Sequence, residues 1–276
     1  MKHLIFLLPR IMKKIALVTG ASSGLGEALA TLLAQKGYIV YGTSRKSGDE
    51  TRFRLLNMDV QNEESVNTAV HQIIAEQGQI DVLINNAGIG IAGPLEVMSV
   101  DSIQQAFDTN VFGLIRVTQA VLPHMRQAQS GKIINISSIA SEVALPYRAV
   151  YSATKAAVDR ITEALRLEVG RFGIQVCAIQ CGDIQTSITA HRIMEYAADN
   201  PAYNSVFAKV AQNMNDGVSK GSTAEYVAAE IIQILEKEKM AKLYPVGKSY
   251  QKLSLKLKGL LPGSLFEKII KGYTQS

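Results

Sequence analysis

The sequence predicts an α/β fold, a doubly wound parallel sheet of about seven strands with helices on both faces. Three observations carry that reading. Short runs rich in Val, Ile, Leu and Ala alternate along the 276 residues with longer segments whose apolar residues recur every three or four positions, as successive βα units require. The short runs are apolar almost throughout, the pattern of strands covered on both faces. A glycine-rich turn joins the first run to the first helical segment, the place where such sheets hold their ligands.

In chain order, strands are expected over 15–19, 39–43, 55–58, 82–85, 133–136, 176–180 and 243–246, and helices over 25–36, 63–77, 103–126, 151–171 and 224–237. Each helix carries one apolar stripe, which suits docking on one face of a sheet. Right-handed crossovers between parallel strands then give a Rossmann-type order. Two stretches, 187–222 and 247–276, interrupt the alternation. Both follow strands whose C-terminal ends should border the ligand crevice.

Composition narrows the class. Hydrophobic residues make up 47% of the chain and charged residues 19%, enough for one large core and too apolar for disorder. The net charge of +5, from 29 Lys+Arg against 24 Asp+Glu, is mild, and no basic run is interleaved with aromatics, so a nucleic-acid partner is not expected. Cys177 and Cys181 would lie roughly 13 Å apart along one strand, too far to bridge. Unpaired cysteines suit a cytoplasmic protein. His3, His71, His124 and His191 are scattered, and no metal site is expected. The apolar run Leu4-Ile5-Phe6-Leu7-Leu8 is shorter than a signal-peptide core or a membrane span. Met12-Lys13-Lys14 leads straight into the first strand, so residues 1–11 read as an N-terminal extension, either from an upstream start or as a loose tail.

The turn Gly20-Ala21-Ser22-Ser23-Gly24-Leu25-Gly26 has glycines with separate tasks. Gly20 permits the tight turn, Gly24 the close approach of a pyrophosphate, and Gly26 the packing of helix against strand, with the positive end of the helix facing the anion. Residues 12–246 therefore read as one dinucleotide-binding domain. At the end of the second strand a carboxylate would select NAD through its ribose hydroxyl. The sequence instead reads Thr43-Ser44-Arg45-Lys46. A guanidinium fork suits a 2′-phosphate, so NADP is expected and NAD disfavoured; ordinary solvated loop charges are the other reading of Arg45 and Lys46.

Tyr151 and Lys155 are four residues apart at the start of a helix, which puts phenol and ammonium on one face. A free phenol titrates near 10 and transfers protons poorly at neutral pH until a cation stabilises the phenolate. Ser138, at the end of the preceding strand, would stand beside that helix and hydrogen-bond a substrate oxygen.

On these residues the chain resembles the short-chain dehydrogenase/reductase family over roughly 12–246. Thr19-Gly20 through Gly26 resembles its cofactor loop, Asp59-Val60 its adenine contact, Asn85-Asn86-Ala87-Gly88 its strand-stabilising motif, and Asn110, Ser138, Tyr151 and Lys155 its catalytic tetrad. The resemblance implies hydride transfer between a nicotinamide and a carbonyl or alcohol carbon, with Tyr151 as acid/base. It implies that Lys155 lowers the phenol pKa and holds the nicotinamide ribose, that Ser138 orients the substrate oxygen, and that Asn110 positions a relay water. It also implies nicotinamide contacts from Ile184 and Thr186, an Arg at position 45 in NADP users, and pairing of subunits into dimers or tetramers. The family's usual Pro-Gly after the sixth strand is here Cys181-Gly182; either the backbone of that segment is less fixed, or, the preferred reading, the substitution is harmless because a small thiol packs where the proline ring would.

The 187–222 stretch supplies apolar residues such as Ile188, Tyr203, Phe207 and Met214 for a lid over a lipophilic steroid, retinoid or fatty carbonyl substrate; packing of helices onto the sheet is the alternative. The 247–276 tail combines Lys248, Lys252, Lys256, Lys258, Lys268 and Lys271 and one acid, Glu267, with leucines and isoleucines. A basic amphipathic segment of this kind suits weak peripheral contact with a membrane surface, or docking on its own domain or a partner subunit. A non-catalytic NADP(H)-sensing regulator would keep the glycine turn but need no proton donor, and Tyr151 with Lys155 argues against it. An epimerase or dehydratase of related plan would need a larger C-terminal domain.

Overall fold

The structure is a computed structural model that describes residues 13–46, 52–186, 192–195 and 200–275. Seven parallel strands form the central sheet: β1 (Ile15–Val18), β2 (Ile39–Ser44), β3 (Arg54–Asn57), β4 (Val82–Asn85), β5 (Gly131–Ser138), β6 (Ile174–Cys181) and β7 (Leu243–Val246). Their spatial order is β7-β6-β5-β4-β1-β2-β3, so the chain winds outward in both directions from the paired strands β1 and β4, and the crevice lies beyond their C-terminal ends, where the connections leave to opposite sides. The helices are α1 (Gly24–Gln35), α2 (Glu63–Gln77), α3 (Val100–Phe107), α4 (Gly113–Ala128), α5 (Ala149–Val169), α6 (Pro201–Ser219), α7 (Ala224–Leu235), α8 (Ser249–Leu260) and α9 (Gly263–Gln275). The α/β doubly wound fold expected from the sequence is thus present.

Two apolar cores lie on opposite faces of the sheet. On one, Leu25, Leu29 and Leu33 of α1 and Val227, Ile231 and Leu235 of α7 cover Val18, Ile84 and Ile134. On the other, Val66, Val70 and Ile73 of α2 and Val117, Val121 and Met125 of α4 cover Leu17, Leu83 and Ile133. Strands buried from both sides explain the unbroken apolar runs. Local signals set the helix ends: the Asn62 side chain accepts from Ser65 N at 2.8 Å at the start of α2, and Gly78 closes it with φ +78°.

The expected helix over 103–126 is in fact α3, a π-helical turn at Asp108–Phe112, and α4 in series. The interruption adds one residue to the turn and rotates Asn110 inward. In the 187–222 stretch the described part includes α6, which starts at Pro201 with the Asn200 side chain accepting from Ala202 N at 3.1 Å. The tail forms α8 and α9; no side chain of α8 is buried. Residues 1–12 lie outside the described residues, as does Ile188. Short parallel pairs tie the outer segments to the domain, Ile91–Ala92 with Ile193–Met194 and Ile184–Gln185 with Ser222–Thr223.

Candidate active site

At the end of β1 the chain turns at Gly20, whose φ is +66°. A Cβ there would stand 2.9 Å from Ala87 Cα, and one on Gly26 would collide with the Gly20 carbonyl oxygen. The first turn of α1 therefore sits against the loop only because both positions lack side chains. Asn86 clamps the turn: its Nδ2 donates to Thr19 O at 2.9 Å and Gly20 O at 3.1 Å, while the N–H groups of Asn86 and Ala87 donate to Thr19 Oγ1 at 2.9 and 3.0 Å. Ser22 and Ser23 are exposed at the rim, Leu25 is buried beneath them, and the Thr186 side chain is close enough to meet a Cβ on Gly24 at 3.1 Å.

Just past the C-terminal end of β2, Arg45 is exposed and lines the same cleft. Its backbone is fixed: Ser44 Oγ donates to Lys46 O at 2.6 Å and accepts from Lys46 N at 3.0 Å, and Asn57 Nδ2 donates to Arg45 O at 3.2 Å. Its guanidinium makes no hydrogen bond or ion pair among the described residues. Asp59 Oδ1 accepts from Gln61 N at 3.0 Å, shaping the turn into α2. Val60 is buried under Gly113, where a Cβ would meet it at 2.8 Å.

Deeper in the crevice, Tyr151 and Lys155 project from the first turns of α5 and are both buried. Lys155 Nζ donates to Ile136 O at 2.9 Å and lies 5.9 Å from the centroid of the Tyr151 ring. An ammonium has three donors, so two remain for other partners. Arg148 approaches the same ring, its guanidinium carbon 4.9 Å from the centroid. Ser138 Oγ accepts from Ala140 N at 3.1 Å, which leaves the hydroxyl proton available for donation. Asn110 Nδ2 donates to Ile89 O at 2.9 Å and Thr154 Oγ1 at 3.2 Å, and its Oδ1 accepts from Ile89 N at 2.8 Å. Beneath these groups a buried polar chain runs from Thr118 through Asn85 and Asn135 to Thr162 at 2.9–3.0 Å per link, tying α4, β4, β5 and α5 in one register.

These groups share one cleft of about 740 Å³. Its inner end is lined by the glycine turn and Asp59-Val60, its middle by Ser138, Tyr151 and Lys155, and its outer end by Met214, Tyr250, Leu253 and Leu257 of α6 and α8 and Ile269 of α9. Cys181 also lines it; burial pushes the Cys181 thiol up to about 12 and the Cys177 thiol likewise. Both are therefore neutral, unreactive thiols at neutral pH.

Residues 14–196 match the family described as short chain dehydrogenase. The chain belongs to that family. A 3-ketodihydrosphingosine reductase of Bacteroides thetaiotaomicron is 43% identical over 256 residues, covering 92% of this chain and 95% of that protein. Among solved structures, a short-chain dehydrogenase from Streptomyces avermitilis superposes with a TM-score of 0.79 at 29% identity, covering 95% of this chain and 99% of that one. The closed form of serine dehydrogenase complexed with NADP+ gives 0.71 at 27% identity, covering 86% and 95%.

For a short-chain dehydrogenase, the positions singled out from sequence lie together. Gly20, Ser22, Ser23, Gly24, Leu25, Gly26, Arg45, Asp59, Val60, Asn86, Ala87, Gly88, Ser138, Tyr151, Lys155, Ile184 and Thr186 all border the cleft. Asn110 stands just behind it, next to Gly88 and buried. The Cys181-Gly182 segment is held despite the missing proline: Gly182 N donates to Val246 O at 2.8 Å and Ser222 N to Asp183 O at 3.0 Å. Sequence reasoning missed Thr154, Arg148, Asp183 and the inward faces of α8 and α9. For Thr154 the position one before Lys155 was a signal; for the tail, an apolar pattern without a stated docking surface was not.

Proposed function

We propose that this short-chain dehydrogenase uses NADP(H) to interconvert a ketone and a secondary alcohol on a lipophilic substrate. The observation that carries the reading is the continuity of one cleft from Arg45, past Tyr151, to the apolar inner faces of α6, α8 and α9. The residues present fit a dinucleotide: backbone N–H groups at the start of α1 are placed to receive an anion, Arg45 offers a 2′-phosphate a fork that is unpaired among the described residues, and the buried Lys155 has donors to spare for ribose hydroxyls. The dinucleotide bound there supplies the hydride for reduction and accepts it in oxidation.

The chain's own groups handle the oxygen and its proton. The Tyr151 phenol donates its proton to the carbonyl oxygen during reduction and recovers one afterwards. Lys155, held by Ile136 O, fixes the ribose and keeps a positive charge beside the ring, which favours the phenolate that reduction leaves behind. Ser138 keeps its proton and donates a hydrogen bond from its hydroxyl to the same substrate oxygen, one of its two lone pairs being engaged by Ala140 N. Asn110 positions the Ile89 segment, and the second lone pair of its Oδ1 is available to a relay water. The long-chain ketone in the name of the Bacteroides relative supports a fatty carbonyl as the substrate class, and the NADP+ complex of serine dehydrogenase supports the cofactor.

The reading extends to the surroundings of the site. The lysines of α8 and α9 together with exposed Leu260 and Leu265 suit weak, peripheral attachment of a cytoplasmic protein to an anionic membrane. Exposed Phe112 at the start of α4 and Leu167 on α5 suit pairing of subunits through those helices into a homodimer or homotetramer. The test of the central claim is the oxidation of NADPH and NADH with a series of long-chain ketones. Turnover with NADPH at well above the NADH rate is expected; equal or better use of NADH, or no turnover of any apolar ketone, overturns it.

A further inference from the structure

We propose that Asp183 is a specificity-determining residue that captures an ammonium group borne on the carbon next to the reacting carbonyl, so that the preferred substrate is a long-chain amino ketone. This inference rests on the ketone reduction proposed above and adds the charge of the substrate head.

Asp183 follows β6 by two residues and lines the cleft. In the β5–β6 register Cys181 is the partner of Ser138. Cys181 ends β6, and Asp183, two residues on, lines the same cleft as Ser138. Side chains reaching in from both positions can hold two polar atoms on adjacent carbons of one ligand, a carbonyl oxygen at Ser138 and a nitrogen at Asp183.

The carboxylate is built into the cleft and short of donors. Gln251 Nε2 donates to Asp183 Oδ2 at 2.8 Å, and Gly217 of α6 leaves space for the carboxylate, which a Cβ there would meet at 3.4 Å. Asp183 Oδ1 accepts no hydrogen bond among the described residues, and Asp183 forms no ion pair there. Gln251 Oε1 is buried and also accepts nothing among the described residues. An ionised carboxylate accepts only, so Gln251 must turn its donor toward it, leaving two acceptors without a donor. An ammonium brings three donors and the missing positive charge.

The other charged groups around the cleft do not take that role. Asp59 lies at the inner end and is engaged by Gln61 N. Arg148 lies over the Tyr151 ring, and Arg192 NH1 donates to Asn215 Oδ1 at 3.3 Å; neither forms an ion pair with Asp183 among the described residues. Among the described residues Asp183 is thus a carboxylate of the outer cleft that forms no ion pair.

The test compares three ketones of equal chain length with NADPH: 3-ketodihydrosphingosine, its N-acetyl derivative, and the analogue lacking the amine. The unmodified protein is expected to favour the free amine by roughly 10- to 100-fold in kcat/KM, the range for losing one hydrogen bond to a charged group. Asp183→Asn should bring the kcat/KM values of the free amine and the amine-free ketone to within about threefold of each other, chiefly by raising KM for the free amine, with NADPH binding followed by fluorescence as the check on folding. If the unmodified protein reduces all three ketones equally well, or if Asp183→Asn slows all three alike, the inference fails and ketone reduction stands. If none of the three is reduced, both readings fall.

Discussion

The two halves of the cleft are built from different materials. The half proposed for the cofactor is made of groups at the ends of buried strands, main-chain in the Gly20–Gly26 turn and buried side chains beneath it: Asn86 bonded to Thr19 and Gly20, and an amide–hydroxyl chain from Thr118 to Thr162. The substrate half is made of side chains on peripheral helices. α8 buries none of its residues, and it and Lys248 just before it meet the domain through contacts such as Gln251 with Asp183, Lys248 with Lys220 O and Lys258 with Glu142 O. Backbone groups in a sheet have one geometry and tolerate little change. Surface helices held by a few polar contacts can be altered at small cost in stability. On the proposed function, the chemistry is set in the rigid half and the choice of substrate in the adjustable one.

The largest expected effect tests where the chemistry resides. Tyr151→Phe keeps the ring and removes the proton donor, so turnover should fall by about 10²–10⁴-fold with cofactor affinity nearly unchanged. Retention of a tenth of normal turnover would show that another group supplies the proton. Gly26→Ala strikes the rigid half directly: its methyl must displace the Gly20 carbonyl or Asn86 Nδ2, which lies 2.5 Å from the added carbon. Cofactor binding should weaken at least tenfold, with a stability loss of about 1–3 kcal/mol by overpacking. A variant that binds cofactor normally and melts at the unmodified temperature would break the contrast between the halves.

Smaller effects sharpen the comparison. Arg45→Ala should weaken NADPH binding about tenfold and leave NADH binding nearly unchanged, as measured by fluorescence titration, since only the 2′-phosphate meets the fork. Ending the chain at Gly247 should leave NADPH affinity within about twofold and the melting temperature within a few degrees. It should raise KM for a long-chain ketone and abolish co-sedimentation with anionic vesicles at low salt. If cofactor binding is lost as well, α8 and α9 belong to the rigid half.

The smallest effect is electrostatic. Cys177 and Cys181 are raised from 9.0 to about 12 by burial. The unfolded chain releases these protons near pH 9 and the folded one does not, so the folded state binds more protons between pH 9 and 12 and stability falls as pH rises through that window. Denaturant midpoints measured across it should decline, and the decline should be smaller in Cys177→Ala. A thiol reagent at pH 8 should label neither cysteine until the protein unfolds.

How much of this was legible beforehand follows the same division. The strand ends, the glycine turn, Arg45, Ser138, Tyr151 and Lys155 were readable, because each depends on local spacing: period-two or continuous apolar runs, a glycine turn between strand and helix, a four-residue step along one helix face. The π-helical turn at Asp108–Phe112 was not. One extra residue in a turn leaves the apolar stripe of α3 and α4 nearly intact, yet it brings the amide of Asn110 to Ile89 and Thr154. Helix α6 had signals of its own in Asn200-Pro201 and in the spacing of Tyr203, Phe207, Val210 and Met214, which a reading as a covering segment passed over.

By itself the sequence determined the doubly wound sheet and the identities of the groups at its C-terminal edge, since hydrophobic period and backbone sterics act over a few residues. Only the tertiary structure decided that α8 and α9 fold back over the cleft, that Gln251 meets Asp183 across 68 positions of chain, and that Arg148 lies on the Tyr151 ring. Those contacts join residues whose patterns fit several surfaces equally well, and the choice among surfaces is made by the shape and charge of the assembled crevice.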